Sequence, residues 1–158
     1  MDRLGLVTLK DELLQDCVVA EKAVCLAELR FQEGTDSGTE GCAHHLVRFY
    51  NVVEQMALRI AKAFENHIDD ERGWHTELIR RLSIAIEGVR PAFFLTTMGQ
   101  PLRELRSFRH VINHAYDLEL DRDKLVLLLK YARQVAPGLK SLVQSFVDEV
   151  FVREGWPL

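Results

Sequence analysis

The sequence is short of cysteine. Cys17, Cys25 and Cys42 are the three that it contains, and no CxxC spacing occurs. An odd count without that spacing argues against a disulfide framework and against a zinc knuckle. The sequence therefore predicts no metal site of this kind.

Long hydrophobic runs are also missing. No apolar stretch approaches the roughly 20 residues that a membrane-spanning helix needs. The opening residues MDRLGLVTLKDELLQD contain acids and lack the apolar region of a signal peptide. The composition, 47% hydrophobic and 28% charged, argues against disorder. We expect a cytoplasmic protein without a membrane partner, folded as a single domain over residues 1–158.

Signals for β-strands and for common catalytic motifs are absent. No segment alternates Val, Ile or Thr between hairpin turns, and GxGxxG, GxxxxGKS/T, HExxH and GxSxG do not occur. This excludes the dinucleotide-binding, P-loop, zincin and nucleophile-elbow signatures. Apolar residues instead recur at helical spacing. The sequence therefore predicts an all-α fold, an up-and-down bundle of four to five helices.

Two long helices are predicted in the first half, over residues 8–32 and 42–68. Thr8 or Asp11 is the expected N-cap of the first helix. The segment between them, residues 33–41, has three Gly and four Ser, Thr or Asp in nine positions. That composition predicts a loop, either mobile or the tip of a helical hairpin.

Three further helices are predicted in the second half. The first lies within residues 73–89, where Gly88 fits a helix end. The second, residues 102–117, begins after Pro101, which suits a first helical turn. The third covers residues 122–152, with Asp121 as its cap and an interruption at Pro137-Gly138, because proline removes a helical hydrogen bond.

Arginine is clustered although the net charge is −4. Whole-chain charge says little about a local patch. Acidic residues concentrate elsewhere, as in Asp69-Asp70-Glu71. The distribution permits a basic groove on an acidic body, formed from Arg80, Arg81, Arg90, Arg103, Arg106 and Arg109.

The helix predicted over residues 102–117 has two unlike faces. At about 100° per residue, an apolar arc of roughly 120° contains Leu105, Phe108, Val111, Ile112 and Ala115. Much of the remaining circumference is taken by Arg106, Arg109, His110, Asn113, His114 and Tyr116. Arginine and histidine bind phosphate and transfer protons near neutral pH. This face could also be an ordinary solvated or interface surface.

Arg109 and His114 together suit RNA cleavage. A base must deprotonate the ribose 2′-OH, and a cation must stabilise the charge that develops on the phosphorus. On a straight helix the two side chains point about 140° apart. Either the helix end is distorted, or a two-fold dimer brings two copies of the pair around one cleft.

The motif residues resemble a known family. RHVINHAY, residues 109–116, matches Arg-x4-His-x-Tyr. With the upstream GWHTELIRRL, the pair Arg90-Pro91 and LRELRSFRHVINHAYDLELDRDKL, residues from about 46 to 130 are similar in order and spacing to HEPN-domain ribonuclease toxins of the HepT type. The resemblance implies a homodimeric helical bundle with a composite site that cleaves RNA, tRNA being one candidate, without metal or other cofactor.

The resemblance also implies roles for individual residues. Arg109 and His114 would be catalytic, with His110 and Asn113 supporting them. Tyr116 would accept AMP from a minimal nucleotidyltransferase, the antitoxin of a type VII toxin–antitoxin pair. Tyr116 lies about 20° from Arg109 in helical projection. An anionic adenylate there would block the cleft.

Other positions and other functions stay open. Trp74 is expected in the core, and His75 beneath the active-site helix or at the groove. A non-catalytic HEPN subunit that binds a substrate or nucleotide and partners a nucleotidyltransferase is an alternative function, as is a helical adaptor. We expect no DNA partner.

Overall fold

The chain forms an all-α structure, as predicted. The computed structural model describes residues 1–65, 74–114 and 119–157, with the backbone alone at 74–77. The described part contains no strand, apart from an isolated bridge between Ile86 and Arg90. Its α-helices are α1 (Arg3–Gln32), α2 (Asp36–Phe64), α3 (Trp74–Leu82), α4 (Gly99–His114), α5 (Arg122–Val135) and α6 (Leu139–Arg153). The side-chain roles predicted for Trp74 and His75 lie outside this description.

The first helix begins earlier than predicted. Asp2 caps α1, since its carboxylate accepts a hydrogen bond of 2.8 Å from the Gly5 N–H. The predicted caps Thr8 and Asp11 are wrong, because both lie inside the helix. An acidic side chain two residues into the chain satisfies an N–H group that would otherwise lack a partner.

The loop between α1 and α2 is much shorter than the predicted residues 33–41. It covers residues 33–35, and α2 begins at Asp36. Thr35 caps α2 by accepting from the Gly38 N–H at 3.0 Å, and Gly34 has the positive φ, 69°, that the turn requires. A Cβ on Gly38 would lie 2.4 Å from the Arg30 carbonyl oxygen. This glycine therefore permits close helix packing and does not mark a loop.

The long hairpin of α1 and α2 provides much of the hydrophobic core. On α1 the buried side chains recur every three or four residues: Leu6, Leu9, Leu13, Cys17, Ala20, Ala23, Val24 and Ala27. On α2 they include Leu46, Phe49, Tyr50, Val53, Met56 and Ile60. Both α5 and α6 pack against α1, and α4 packs against α2 and α5. None of the described helices has the length and hydrophobicity that crossing a membrane requires.

The third helix is shorter than predicted. α3 ends at Leu82, and the Ser83 hydroxyl donates back to the Ile79 carbonyl at 2.9 Å. A tight turn follows, in which the Ile86 N–H donates to the Arg90 carbonyl at 2.9 Å. Gly88 has a φ of 74° inside this turn. The prediction that Gly88 ends a helix is therefore wrong. Glycine adopts the same left-handed conformation in tight turns and at helix ends, so the sequence alone does not distinguish the two.

Arg90 is fully buried and does not contribute to a basic groove. Its Nε donates to Glu65 at 2.8 Å, and its other nitrogens donate to the carbonyls of Ile84, Arg81 and Pro91 at 2.9, 3.1 and 3.2 Å. The prediction that placed Arg90 with the exposed arginines is therefore wrong. The buried cation therefore links the segment after α3 to Glu65, the residue that follows α2.

The second half of the bundle follows the prediction more closely. Pro101 lies in the first turn of α4, and Asp121 caps α5 by accepting from the Asp123 N–H at 2.8 Å. The predicted interruption at Pro137-Gly138 is confirmed as a 3-10 turn, Ala136–Gly138, between α5 and α6. Val111 was predicted to lie on the apolar face of this helix, but 44% of it is exposed.

Replacement of Arg90 tests its role as a buried clamp. Arg90→Leu should lower the free energy of unfolding by about 3–5 kcal/mol, because it leaves Glu65 and three carbonyls without their cationic donor. Urea denaturation followed by circular dichroism measures this.

Arg81→Ala is the matched control, since Arg81 pairs with the same Glu65 but is 42% exposed. It should cost about 1 kcal/mol or less. Equal losses in the two variants would contradict the buried role of Arg90.

Candidate active site

The last two turns of α4 form one side of an exposed groove. The open space beside them has a volume of about 510 Å³, and its described lining belongs to α4 alone: Arg106, Ser107, Arg109, His110, Val111, Asn113 and His114. All four predicted site residues within the described part therefore share one surface. Their helix is fixed to the core by the opposite face, where Leu102, Leu105 and Phe108 are buried. Tyr116, the predicted AMP acceptor, lies outside the described residues.

Arg109 is held by a carboxylate on the neighbouring helix. Its Nη1 and Nη2 donate to the two oxygens of Glu54 at 2.6 and 3.0 Å, and Nη1 also donates to the Asn51 side-chain oxygen at 2.9 Å. The guanidinium carbon lies 4.7 Å from the centroid of the Tyr50 ring. The pair is shielded from water, with Arg109 22% and Glu54 13% exposed. Charge-assisted bonds in such a setting fix the arginine in one orientation.

These bonds leave a defined part of the guanidinium for a ligand. An arginine has five N–H donors, and the three bonds to Glu54 and Asn51 use donors on Nη1 and Nη2. The Nε–H and the second Nη2–H make no hydrogen bond to any described residue. These two donors form the side-on fork of the guanidinium, whose geometry fits two oxygens of one phosphate.

Tyr50 forms the floor beneath Arg109. The tyrosine is fully buried, and its hydroxyl has no hydrogen-bond partner among the residues that the structure describes. Burial raises the pKa of Tyr50 to about 12, and the nearby Glu54 carboxylate adds to the increase, whereas Arg109 and Arg106 oppose it. The phenol is therefore neutral at physiological pH.

His110 and His114 form a stacked pair on the exposed side of α4. Their ring centroids are 4.3 Å apart, with 30° between the ring planes. His114 Nδ1 lies 2.8 Å from the His110 carbonyl oxygen. A carbonyl oxygen can only accept, so Nδ1 carries the proton, and in the neutral ring Nε2 is left as an acceptor. An acceptor nitrogen exposed in a groove can take a proton from a bound hydroxyl.

Arg109 and His114 lie in different surroundings, as their predicted separation around the helix implies. Arg109 reaches back to α2, where Glu54 binds it, whereas His114 is exposed and stacks on its own helix. The groove brings both residues to one surface. Asn113 is exposed between them and offers an amide to a ligand.

No three His, Cys, Asp or Glu residues are grouped to hold an ion within the described ranges. The rings of His44 and His45 contact edge to face, 5.4 Å apart. Burial lowers the pKa of His45, and the neighbouring His44 and Arg48 lower it further. The Nδ1 atom of His45 has no partner among the described residues.

The chain also matches a known protein family. The family model described as HepT-like protein matches residues 41–150, more than two thirds of the chain. The chain belongs to the HepT-like family. No curated protein and no solved structure matches the chain. The HepT-like region contains both α4 and the part of α2 that supplies Tyr50, Asn51 and Glu54.

Sequence reasoning missed these three α2 residues. Asn51 and Glu54 look like ordinary polar positions on an amphipathic helix, and Tyr50 looks like core. Glu54 lies three positions after Asn51 and four after Tyr50, a spacing that makes it a neighbour of both on the surface of α2. Their importance depends on the packing of α4 against that surface, and no local pattern indicates which helices meet.

A double-mutant cycle tests whether the Arg109–Glu54 pair forms in solution. Arg109→Ala should lower the free energy of unfolding by about 1–3 kcal/mol, because the partly buried Glu54 carboxylate loses its donor. Adding Glu54→Gln to Arg109→Ala should recover part of that loss. We expect a coupling of about 0.5–3 kcal/mol from urea denaturation of the four proteins, and strictly additive losses would contradict the pair.

Proposed function

We propose that this HepT-like protein is a toxin that cleaves RNA without a metal ion. The observation that supports this most directly is the shared groove, in which a fixed arginine, a histidine with an acceptor nitrogen and an amide lie within two helical turns. The proposed pair is Arg109 and His114, with His110 and Asn113 supporting them. The substrate is RNA, and tRNA is one candidate.

The reaction follows from these groups. His114 Nε2 takes the proton of a ribose 2′-OH, and the oxygen attacks the adjacent phosphorus. The side-on fork of Arg109 binds the phosphate oxygens, on which negative charge increases. The bond from phosphorus to the 5′-oxygen breaks, and a second imidazole, that of His110 or of the second copy's His114, protonates the leaving oxygen. The products are a 2′,3′-cyclic phosphate and a 5′-hydroxyl.

We infer that a homodimer completes the site. Arg109 is held towards α2 and His114 is exposed, so one copy offers the base and the cation from different directions. A two-fold axis at the groove would place both copies of each group around one phosphate. Val111 lines the groove and is 44% exposed, which suits an interface position.

We also propose that a nucleotidyltransferase antitoxin silences the site by transferring AMP to Tyr116. The adenylate would add a phosphate close to the arginine that must bind RNA. Its charge would compete for the Arg109 fork, and its bulk would fill the groove. The pair would form a type VII toxin–antitoxin system.

The Arg109–Glu54 pair favours a second candidate function. A carboxylate 2.6 Å from the guanidinium reduces the attraction of this arginine for phosphate. A HEPN subunit that binds a nucleotide or substrate and assists a nucleotidyltransferase, without cutting RNA, would tolerate that pairing. The two candidates differ in whether the protein cleaves RNA by itself.

Cleavage of total tRNA in EDTA tests the ribonuclease. The purified, unmodified protein should cut and leave 2′,3′-cyclic phosphate ends. Arg109→Ala and His114→Ala should each reduce the rate at least about 100-fold, because each removes a group needed in the transition state. Product mapping by gel and end-group analysis measures both effects.

Arg133→Ala is the matched control, because it removes one exposed arginine outside the groove. It should cleave like the wild type. Full activity of folded His114→Ala would overturn the role of the histidine. No cleavage by the folded, unmodified wild type would favour the second candidate.

Incubation with ATP, Mg²⁺ and a cognate nucleotidyltransferase tests the silencing. A short neighbouring gene with a Gly-Ser-x10-Asp-x-Asp pattern would identify that enzyme. Mass spectrometry should show an AMP adduct on Tyr116 and a loss of cleavage. Tyr116→Phe should stay unmodified and active, whereas Tyr131→Phe should be modified like the wild type. An adduct elsewhere, or none, would contradict the proposal.

A further inference from the structure

A second cleft lies beside the groove and is not used by the proposed chemistry. It lies between α3, the 3-10 turn Thr96–Met98 and the first turns of α4. It encloses about 460 Å³, within the range of roughly 300–1,000 Å³ that small-molecule sites occupy. Its walls are largely apolar and include Ile79, Ile84 and Leu102. Ile84 is 55% exposed, so the wall is open to ligands from solvent.

The cleft and the groove share one side chain. Arg106 lines both, and Arg109 follows it one helical turn later, about 4.5 Å along the axis. Arg103 lines the cleft one turn before Arg106, and Arg80 lines it from α3. The cleft is therefore apolar within and cationic at its border, directly next to the proposed site of cleavage.

Tyr50 supplies an independent sign of a ligand. It lines the cleft, is fully buried, and its hydroxyl has no hydrogen-bond partner among the described residues. A buried hydroxyl without a partner is unfavourable and uncommon in folded proteins. Because the hydroxyl is closed to water in this structure, a ligand with polar edges and a flat apolar body satisfies it only if a side chain of the cleft wall moves. The same tyrosine lies under Arg109, so it connects the cleft to the catalytic arginine.

We propose that this cleft binds the nucleobase of a nucleotide next to the phosphate that is cut. A nucleobase has apolar faces for the walls and polar edges for the hydroxyl, and its phosphate would meet the arginines at the border. The identity of this base would set the sequence preference of the enzyme. The inference rests on the proposed ribonuclease for the position of the scissile phosphate, but the nucleotide-binding cleft itself can be tested separately.

Gly99 allows the cleft to be filled without disturbing the backbone. It lines the cleft with a φ of −60°, and a Cβ built on it meets no atom within 4 Å. Gly99→Trp therefore adds an indole at the lining of the cleft without a clash at its Cβ. Ile84→Glu is a second variant, in which a carboxylate on the exposed wall repels a phosphate. Ser145→Trp adds the same indole at an exposed position of α6 and is the matched control.

Binding is measured first, by ligand-detected NMR with 5′-AMP, GMP, CMP and UMP. The wild type and Ser145→Trp should bind at least one of these monophosphates with the same affinity. Gly99→Trp and Ile84→Glu should weaken that binding at least tenfold. Equal binding by the wild type and Gly99→Trp, or no saturable binding by the wild type, would overturn the cleft.

Cleavage mapping on a mixed-sequence RNA then separates the two proposals. If the wild type cuts with a base preference that Gly99→Trp loses, both proposals are supported. If Gly99→Trp keeps rate and preference, the cleft is overturned and the ribonuclease stands. If monophosphates bind in the cleft but the wild type cuts nothing, the ribonuclease fails and the nucleotide-binding cleft is supported.

Discussion

The packing of α1 against α2 is the contact on which the rest of the structure depends. Small buried residues, Ala20, Ala23 and Ala27 on α1, leave room for the larger side chains of the core, and Gly38 lets the α2 backbone approach Arg30. Two helices of 30 and 29 residues are thereby fixed along their length. α2 then presents a rigid outer face to α4. The position of the groove follows from that face.

Within the site, residues of α2 set the orientation of a key side chain of α4. The motif residues belong to α4, but the orientation of Arg109 is set by Glu54 and Asn51 from α2. Because Glu54 occupies one edge of the guanidinium, it selects the edge that a ligand can use. The stacked histidines have no such partner on α2. Among the described residues, their contacts are with each other and with the α4 backbone, through the bond from His114 to the His110 carbonyl.

Much of the fold could be predicted from the sequence, because helical periodicity and capping act over short distances. Asp121 and Pro137 illustrate this, since their effects involve neighbouring residues only. The predictions were wrong where one residue type can have two structural roles. Gly38 signalled a loop but serves close packing, and Arg90 signalled a basic surface but is buried with Glu65. Only three-dimensional packing distinguishes such uses.

The candidate site was predictable to the same extent. The motif indicated Arg109, His110, Asn113 and His114, and the structure brings these residues to one groove. Tyr50, Asn51 and Glu54 were not predictable, because they are more than 50 positions away in sequence. Contacts of that separation depend on which helices pack together, and local patterns do not determine helix pairing.

The Glu54 carboxylate affects how strongly the groove attracts polyanions. A bare row of arginines attracts any nucleic acid, and its affinity falls steeply with ionic strength because counterions are released. Here the central arginine is already neutralised by its neighbour, 13% exposed and bonded through both oxygens. Glu54 therefore reduces the contribution of Arg109 to long-range attraction. In the RNA binding that we propose, recognition at Arg109 would depend more on shape and hydrogen bonding than on charge.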